Sequence, residues 1–183
     1  GGCVSKKKTL HVPDAPFRPG EKPDFSNLEL PKAGDAKKPK IMVEPSEIRD
    51  LAFSLVRVLD DKHEAVGPWD PKLDASVLKK GLRHMSLLRI FDDRMLTMQR
   101  QGKLSFYMKS LGEEAVAIAQ GMALRSDDIL FPSYRQPGLQ FVRGRDIVDM
   151  ICHCITNVKD NVKGRQMPVH YSWKEGNLVS ISS

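Results

Sequence analysis

The sequence predicts an α/β protein whose helices come early and whose strands come late. Three observations predict it. Apolar residues recur at three- and four-residue steps through much of residues 46–158, and short β-prone runs occur at 129–131 and 178–183. The third is the composition, 40% hydrophobic and 28% charged over 183 residues, which is the balance of a water-soluble globular domain.

The elements follow in order. Residues 1–45 hold seven of the twelve prolines and nine basic against six acidic residues, with apolar residues isolated between prolines. That segment reads as an extended or mobile arm, and residues 46–183 as the domain. From Ser46, the spacing of Ile48, Leu51, Ala52, Leu55, Val56 and Leu59 predicts an amphipathic helix, and Gly67-Pro68 a turn. Asp74 is placed to cap a long helix carrying Val77, Leu78, Leu82, Met85, Leu88, Met95 and Leu96 to about Gly102. Ser110 and Glu113 have capping-box spacing ahead of Ala115, Val116, Ile118, Ala119 and Met122. Ile129-Leu130-Phe131, stopped by Pro132, reads as a buried strand. Asp146 opens a helix through Ile147, Met150, Ile151, Ile155 and Val158, and Leu178–Ser183 returns to strand chemistry.

Composition narrows the function classes. Basic residues outnumber acidic ones 29 to 23, but after position 46 the two signs are interspersed and form no stripe, which disfavours nucleic-acid binding. No run approaches the ~20 apolar residues that cross a bilayer, which disfavours a membrane partner. Three cysteines, Cys3, Cys152 and Cys154, make no disulfide framework and suit a reducing compartment, so a cytoplasmic setting is expected. Gly1-Gly2-Cys3-Val4-Ser5 before Lys6-Lys7-Lys8 fits an acylation signal if a methionine has been removed, and fits a solvated basic end as well.

Cys152-His153-Cys154 gathers three metal-binding residue types, but positions two apart on a helix are rotated by ~200°, so the thiols face apart and read as buried structural groups. His63, His84 and His170 read as surface or packing residues. Two loops carry more chemistry. In Phe131-Pro132-Ser133-Tyr134-Arg135-Gln136-Pro137-Gly138, a phenol and a guanidinium stand just past the carboxyl end of a strand, where open α/β sheets bind ligands. A planar guanidinium fork matches phosphate oxygens, so the pair fits an anionic ligand or, equally, a structural arginine paired with a carboxylate. Lys163–Tyr171, punctuated by Gly164 and Pro168, is either a second site loop or a solvated turn.

Ser105-Phe106-Tyr107-Met108, Leu111-Gly112-Glu113-Glu114-Ala115, Phe131-Pro132-Ser133-Tyr134-Arg135-Gln136 and Gly164-Arg165-Gln166-Met167-Pro168-Val169-His170-Tyr171 together closely resemble the alpha subunits of branched-chain 2-oxoacid dehydrogenases of bacterial type. Leu10-His11-Val12-Pro13, Ser54–Leu59 and Gly67-Pro68-Trp69 extend the likeness. Pyruvate dehydrogenase alpha subunits keep a Tyr-Arg pair but have a glycine-richer loop where Arg165-Gln166-Met167-Pro168 stands. The resemblance implies the thiamine diphosphate-binding fold, a parallel sheet flanked by helices, with this chain covering its helix-rich N-terminal part. It implies oxidative decarboxylation of branched-chain 2-oxoacids, with acyl transfer to lipoyl groups of a transacylase, by an α2β2 assembly that requires a beta subunit. On the same ground Tyr134, Arg135 and Ser183 contact the cofactor, Phe106 lines the substrate pocket and Ser182 helps form a potassium site. No catalytic residue is expected in the segment, and the magnesium ligands are expected beyond residue 183. A truncated, non-catalytic assembly module of the same family is the competing expectation, with a pyruvate dehydrogenase alpha subunit as another.

Overall fold

The computed structural model of the chain describes residues 20–22, 24 and 30–181, without the side chains of Ala52 and Phe53. The expectations for Gly1–Ser5, Leu10–Pro13, Ser182 and Ser183 lie outside the described residues. Two compact units divide at Lys72/Leu73.

In the first unit the predicted helix from Ser46 to Leu59 does not form. A 3-10 helix spans Pro45–Phe53, Ser54 takes extended dihedrals, and Leu55, Val56 and Leu59 are exposed. The cause lies just downstream. The Asp60 carboxylate accepts the amides of Lys62 and Glu64, both at 2.9 Å, and closes a turn that pairs Leu59 with Ala65. Local side-chain bonding of this kind competes with helix propagation, and here it takes the backbone that the helix would have used. Gly67 has φ +83° and packs on Gly34, φ +85°, so closely that a Cβ at Gly67 would lie 2.3 Å from the Gly34 Cα. Glycine is required at that crossing.

The second unit is built on α1, Ala75–Arg100, 26 residues and about 39 Å long. Asp74 stands at its N-cap as expected, although its side chain makes no capping bond. Leu88, Phe91, Asp92 and Met95 form its buried face. α2 (Glu114–Ala123) and α3 (Gly138–Val142) pack on α1. A Cβ at Gly138 would come within 3.0–3.2 Å of Leu88, Ile118 and Ala117, and one at Gly121 within 3.1 Å of Val142. Small residues therefore set how closely these three helices meet. α3 was not expected from the sequence, because Pro137-Gly138 reads as a break. α4 (Ile147–Cys154) starts where predicted, with Asp146 Oδ1 accepting the Val148 amide at 2.6 Å. It ends before Val158, which is fully exposed.

The expected capping box is replaced by a different closure. Glu113 makes no cap bond, and the Ser110 Oγ is buried without a partner. Instead Glu114 reaches back to the Gly112 amide at 2.9 Å and pairs with Arg89 at 2.6 Å. Ser110 gives its amide to Asp92 Oδ2 at 2.7 Å, and the Tyr107 hydroxyl donates to Asp92 Oδ1 at 2.5 Å. Tyr107 is thereby drawn into the core beside Phe91. Gln99, with its amide oriented to suit its partners, donates to the Tyr107 carbonyl at 3.2 Å and accepts the Tyr107 amide at 3.1 Å.

Three chain segments lie side by side at the end of this unit. β1 (Ser172–Trp173) pairs antiparallel with β2 (Leu178–Val179). On the other side of β2, Leu130 forms a parallel bridge to Leu178, extended by Ile181 N donating to the Pro132 carbonyl at 2.9 Å. Of the predicted strand Ile129–Phe131 only Leu130 is buried, because residues alternate across the ladder and Ile129 and Phe131 point to the open side. Among the described residues the architecture is thus helix-rich α/β with a small sheet, and the larger parallel sheet of the expectation is represented by one parallel bridge. Among the described residues no helix is long and apolar enough to cross a membrane.

Two outcomes are expected. Tyr107→Phe removes a buried hydrogen bond to a carboxylate and lowers the unfolding free energy by about 1.5–3 kcal/mol, measured by urea denaturation. Burial pushes the Glu114 carboxyl up, but its own amide, Arg89 and the Gly112 amide outweigh this and hold it below the ordinary glutamate value. A carboxyl depressed in the fold contributes stability that is present above the unfolded-state value and lost as pH falls through the folded one. Arg89→Ala flattens that acid dependence in melting curves taken across the range.

Candidate functional site

The mixed ladder decides which residues meet. The chain leaves the Leu130–Pro132 segment towards Tyr134 at the end to which β2 also runs, and it enters β1 from His170 at that same end, since β1 and β2 are antiparallel. The rings of Tyr134 and His170 lie 5.7 Å apart between centroids. Phe106 completes the group, edge-on to Tyr134 at 5.6 Å and 6.4 Å from His170. It is turned there by backbone alternation, because Tyr107 points the other way, into the core. The Arg135 guanidinium stands over the Tyr134 ring, 5.7 Å from its centroid.

Arg135 is loosely held. Its Nη1 is 3.9 Å from Glu113 Oε1 and its Nη2 4.0 Å from Met108 Sδ, while its Nε is buried without a partner. Neighbouring arginines are more firmly bonded through their terminal nitrogens, although the Nε of Arg145, like that of Arg135, is buried without a partner among the described residues. Arg143 donates to the carbonyls of Ser126, Arg125 and Asp128, and Arg145 bonds Gln140 at 2.7 Å beside the rings of Tyr171 and Trp173. The Tyr134 hydroxyl has no hydrogen-bond partner among the described residues. A guanidinium fork and a phenol with donors to spare, against an aromatic wall, can receive an oxyanion and a flat apolar group together. The carboxylate pairing that the sequence left open for Arg135 does exist, as a long and half-exposed contact with Glu113.

The structure therefore brings Phe106, Tyr134 and Arg135 together and adds His170, Met108 and Glu113, which the sequence reading had assigned to packing, to no role and to a helix cap. The signal for His170 was its loop, Lys163–Tyr171, of which this end is a site wall while Lys163 and Arg165 are exposed. Cys152 and Cys154 are buried, as expected. Burial pushes the Cys154 thiol up to about 11, and it shares a hydrogen bond with the Tyr171 hydroxyl at 3.2 Å. Among the described residues no group of three or more His, Cys, Asp or Glu side chains is placed to hold a metal ion.

The family model described as Dehydrogenase E1 component matches residues 82–183, more than half of the chain and all of the residues of this site. The chain belongs to the dehydrogenase E1 component family. A second model, 2-oxoisovalerate dehydrogenase E1 alpha subunit N terminal, matches residues 6–46 of this E1 chain. Among curated relatives, the 2-oxoisovalerate dehydrogenase subunit alpha of Pseudomonas aeruginosa is 56% identical over 173 residues, covering 94% of this chain and 42% of that protein. The mitochondrial subunit alpha of Mus musculus is 37% identical over 142 residues, with 77% and 32% covered. Subunit alpha 1 of Arabidopsis thaliana is 35% identical over 163 residues, with 87% and 34% covered. The E1 chain thus spans 32–42% of the length of these relatives.

Proposed function

We propose that this chain works in the alpha subunit of a thiamine diphosphate-dependent branched-chain 2-oxoacid dehydrogenase, which decarboxylates the oxoacid oxidatively and passes the acyl group to lipoyl groups of a transacylase. The convergence of Phe106, Tyr134 and Arg135 at one end of the ladder carries this reading, since donors for a diphosphate and an apolar wall for a branched side chain occur side by side. The match of residues 6–46 to the 2-oxoisovalerate N-terminal model favours the branched-chain enzyme over a pyruvate dehydrogenase.

The residues fit the cofactor by their donor chemistry. Arg135 and Tyr134 offer unspent hydrogen-bond donors to the diphosphate, and the unpartnered Nε of Arg135 shows a guanidinium short of acceptors. Thiamine diphosphate, when bound, supplies the nucleophile and the electron sink for decarboxylation. Phe106 shapes the space beside it and excludes water. In this reading Ser183 touches the cofactor, Ser182 contributes to a potassium site and Mg2+ is held by residues beyond 183. The full fold is the parallel sheet flanked by helices of thiamine diphosphate enzymes. The partners are a beta subunit in an α2β2 assembly and the transacylase core, and the setting is the cytoplasm. Exposed apolar side chains on α1 and α2, among them Leu78, Leu82, Ile90 and Val116, support burial against other subunits.

Arg135→Ala in the assembled alpha–beta protein is expected to weaken thiamine diphosphate binding by at least about tenfold, the worth of one charge-assisted bond to phosphate, as read by isothermal titration. Unchanged affinity would refute the site. Phe106→Ala is expected to leave that affinity in place and to lower kcat/KM for branched 2-oxoacids by about tenfold or more, because the lost contact is with the substrate side chain.

A further inference from the structure

The loop that delivers His170 to the site is held by a group the proposed reaction does not use. His153, on α4, is 2% exposed in its side chain and Asp160 is 1% exposed. The imidazole Nδ1 lies 3.1 Å from Asp160 Oδ1 and the Nε2 lies 3.1 Å from the Met167 carbonyl. Both partners are acceptors, so a neutral ring donates to one of them, set by its tautomer, and a protonated ring donates to both; burial pushes the imidazole below its ordinary value against the pull of the Asp160 carboxylate. One side chain thus meets the loop at two points seven residues apart and bonds both at once when its ring is protonated.

Each point organises a turn. Asp160 also accepts the amides of Val162 at 3.2 Å and Gly164 at 2.7 Å, which closes the start of the loop. These two amides and the His153 bond outweigh burial and hold Asp160 below its ordinary value, so it is an anion there. Met167 O accepts the His170 amide at 3.1 Å across a four-residue turn, with Pro168 second and Val169 third. Val169 has φ +62°, the left-handed region that the third position of such a turn takes up with glycine. For a β-branched residue this is unfavourable and persists only where the surroundings over-determine it. Val169 is buried, and His170 follows directly, its ring set against Tyr134 and Phe106.

We infer that His153 is a positioning residue: by clamping Asp160 and the Met167 carbonyl it holds the strained Met167–His170 turn and so places the His170 ring against Tyr134. That this wall serves a thiamine diphosphate site rests on the reading above. The clamp itself is read without any ligand, so the two ideas fail separately.

The test uses the assembled alpha–beta protein and residue-resolved hydrogen exchange of the Val162, Gly164 and His170 amides, in three variants. His153→Phe keeps the packing and removes both bonds. His153→Gln places an amide nitrogen where Nε2 stands, and His153→Asn places one where Nδ1 stands. In the Phe variant the His170 amide is expected to exchange at least about tenfold faster than in wild type. Gln restores its protection while leaving Val162 and Gly164 fast, and Asn does the reverse. Thiamine diphosphate affinity, titrated with the same proteins, should follow the His170 amide, falling in Phe and Asn and recovering in Gln. Should the Phe variant not fold, the Gln and Asn variants alone decide. Wild-type protection of His170 in the Phe variant, or equal loss in Gln and Asn, would overturn the inference. If His170 exchange follows this pattern while thiamine diphosphate binds to none of the proteins, the clamp stands and the cofactor reading falls.

Discussion

A carboxylate with no access to water sits in the middle of α1, and its needs dictate where the site can be. Asp92 is completely buried, and burial pushes its carboxyl above the ordinary aspartate value against the opposing pull of Tyr107, Ser110 and Lys109. Leaving such a group unsatisfied costs several kcal/mol, whereas hydrogen bonds to it are worth about 1.5–3 kcal/mol each. Any arrangement in which residues 107–110 part from α1 therefore strands the carboxylate and loses both bonds at once. Tyr107 is fixed inwards by its hydroxyl and, through Gln99, by its backbone. Phe106 and Met108 must then face outwards, which is the side on which Tyr134 and Arg135 arrive.

The second constraint is the mixed ladder. Leu178–Ile181 is parallel to Leu130–Pro132 and antiparallel to Tyr171–Trp173, so the end of one neighbour and the beginning of the other come to the same edge. Residues 36 apart in sequence, Tyr134 and His170, are brought by that pairing to one edge, where their rings are neighbours. The turn after β1 is equally demanding, since a Cβ at Gly176 would fall 2.1 Å from the Trp173 ring and Asn177 adopts φ +50°. A tight return at Gly176-Asn177 is what brings β2 back between the other two segments.

These constraints explain which parts were legible in the sequence. α1 was, because its period runs unopposed for 26 residues from Asp74 at the N-cap position. The helix expected from Ser46 was not, although its period is as clear, because the Asp60 turn claims its last residues and no described residue covers Leu55, Val56 and Leu59. α3 was hidden by Pro137-Gly138, yet proline suits a helix start and the glycine answers to Leu88, a contact 50 residues away. At the candidate site, the placement of Tyr134 and Arg135 just past a strand end was legible because it is local, set within a few residues of Leu130. His170 was not, since its role arises from antiparallel pairing and from the His153 clamp, both non-local.

The pair formed by Arg135 and Glu113 bears on how an anion would be received. At 3.9 Å and with both side chains more than 40% exposed, it belongs to the class of surface ion pairs worth about 0–1 kcal/mol. Giving it up for a phosphate group held by charge-assisted hydrogen bonds is favourable by the difference, so Glu113 holds the guanidinium in place without blocking it. A single arginine, however, balances only one of the charges of a diphosphate, and Glu113 remains nearby as a repelling neighbour. Binding by these residues alone would leave most of that charge unpaired in a half-buried cleft. These donors suit orienting a diphosphate, and neutralising one would call for further positive charge, such as a divalent cation, beside them.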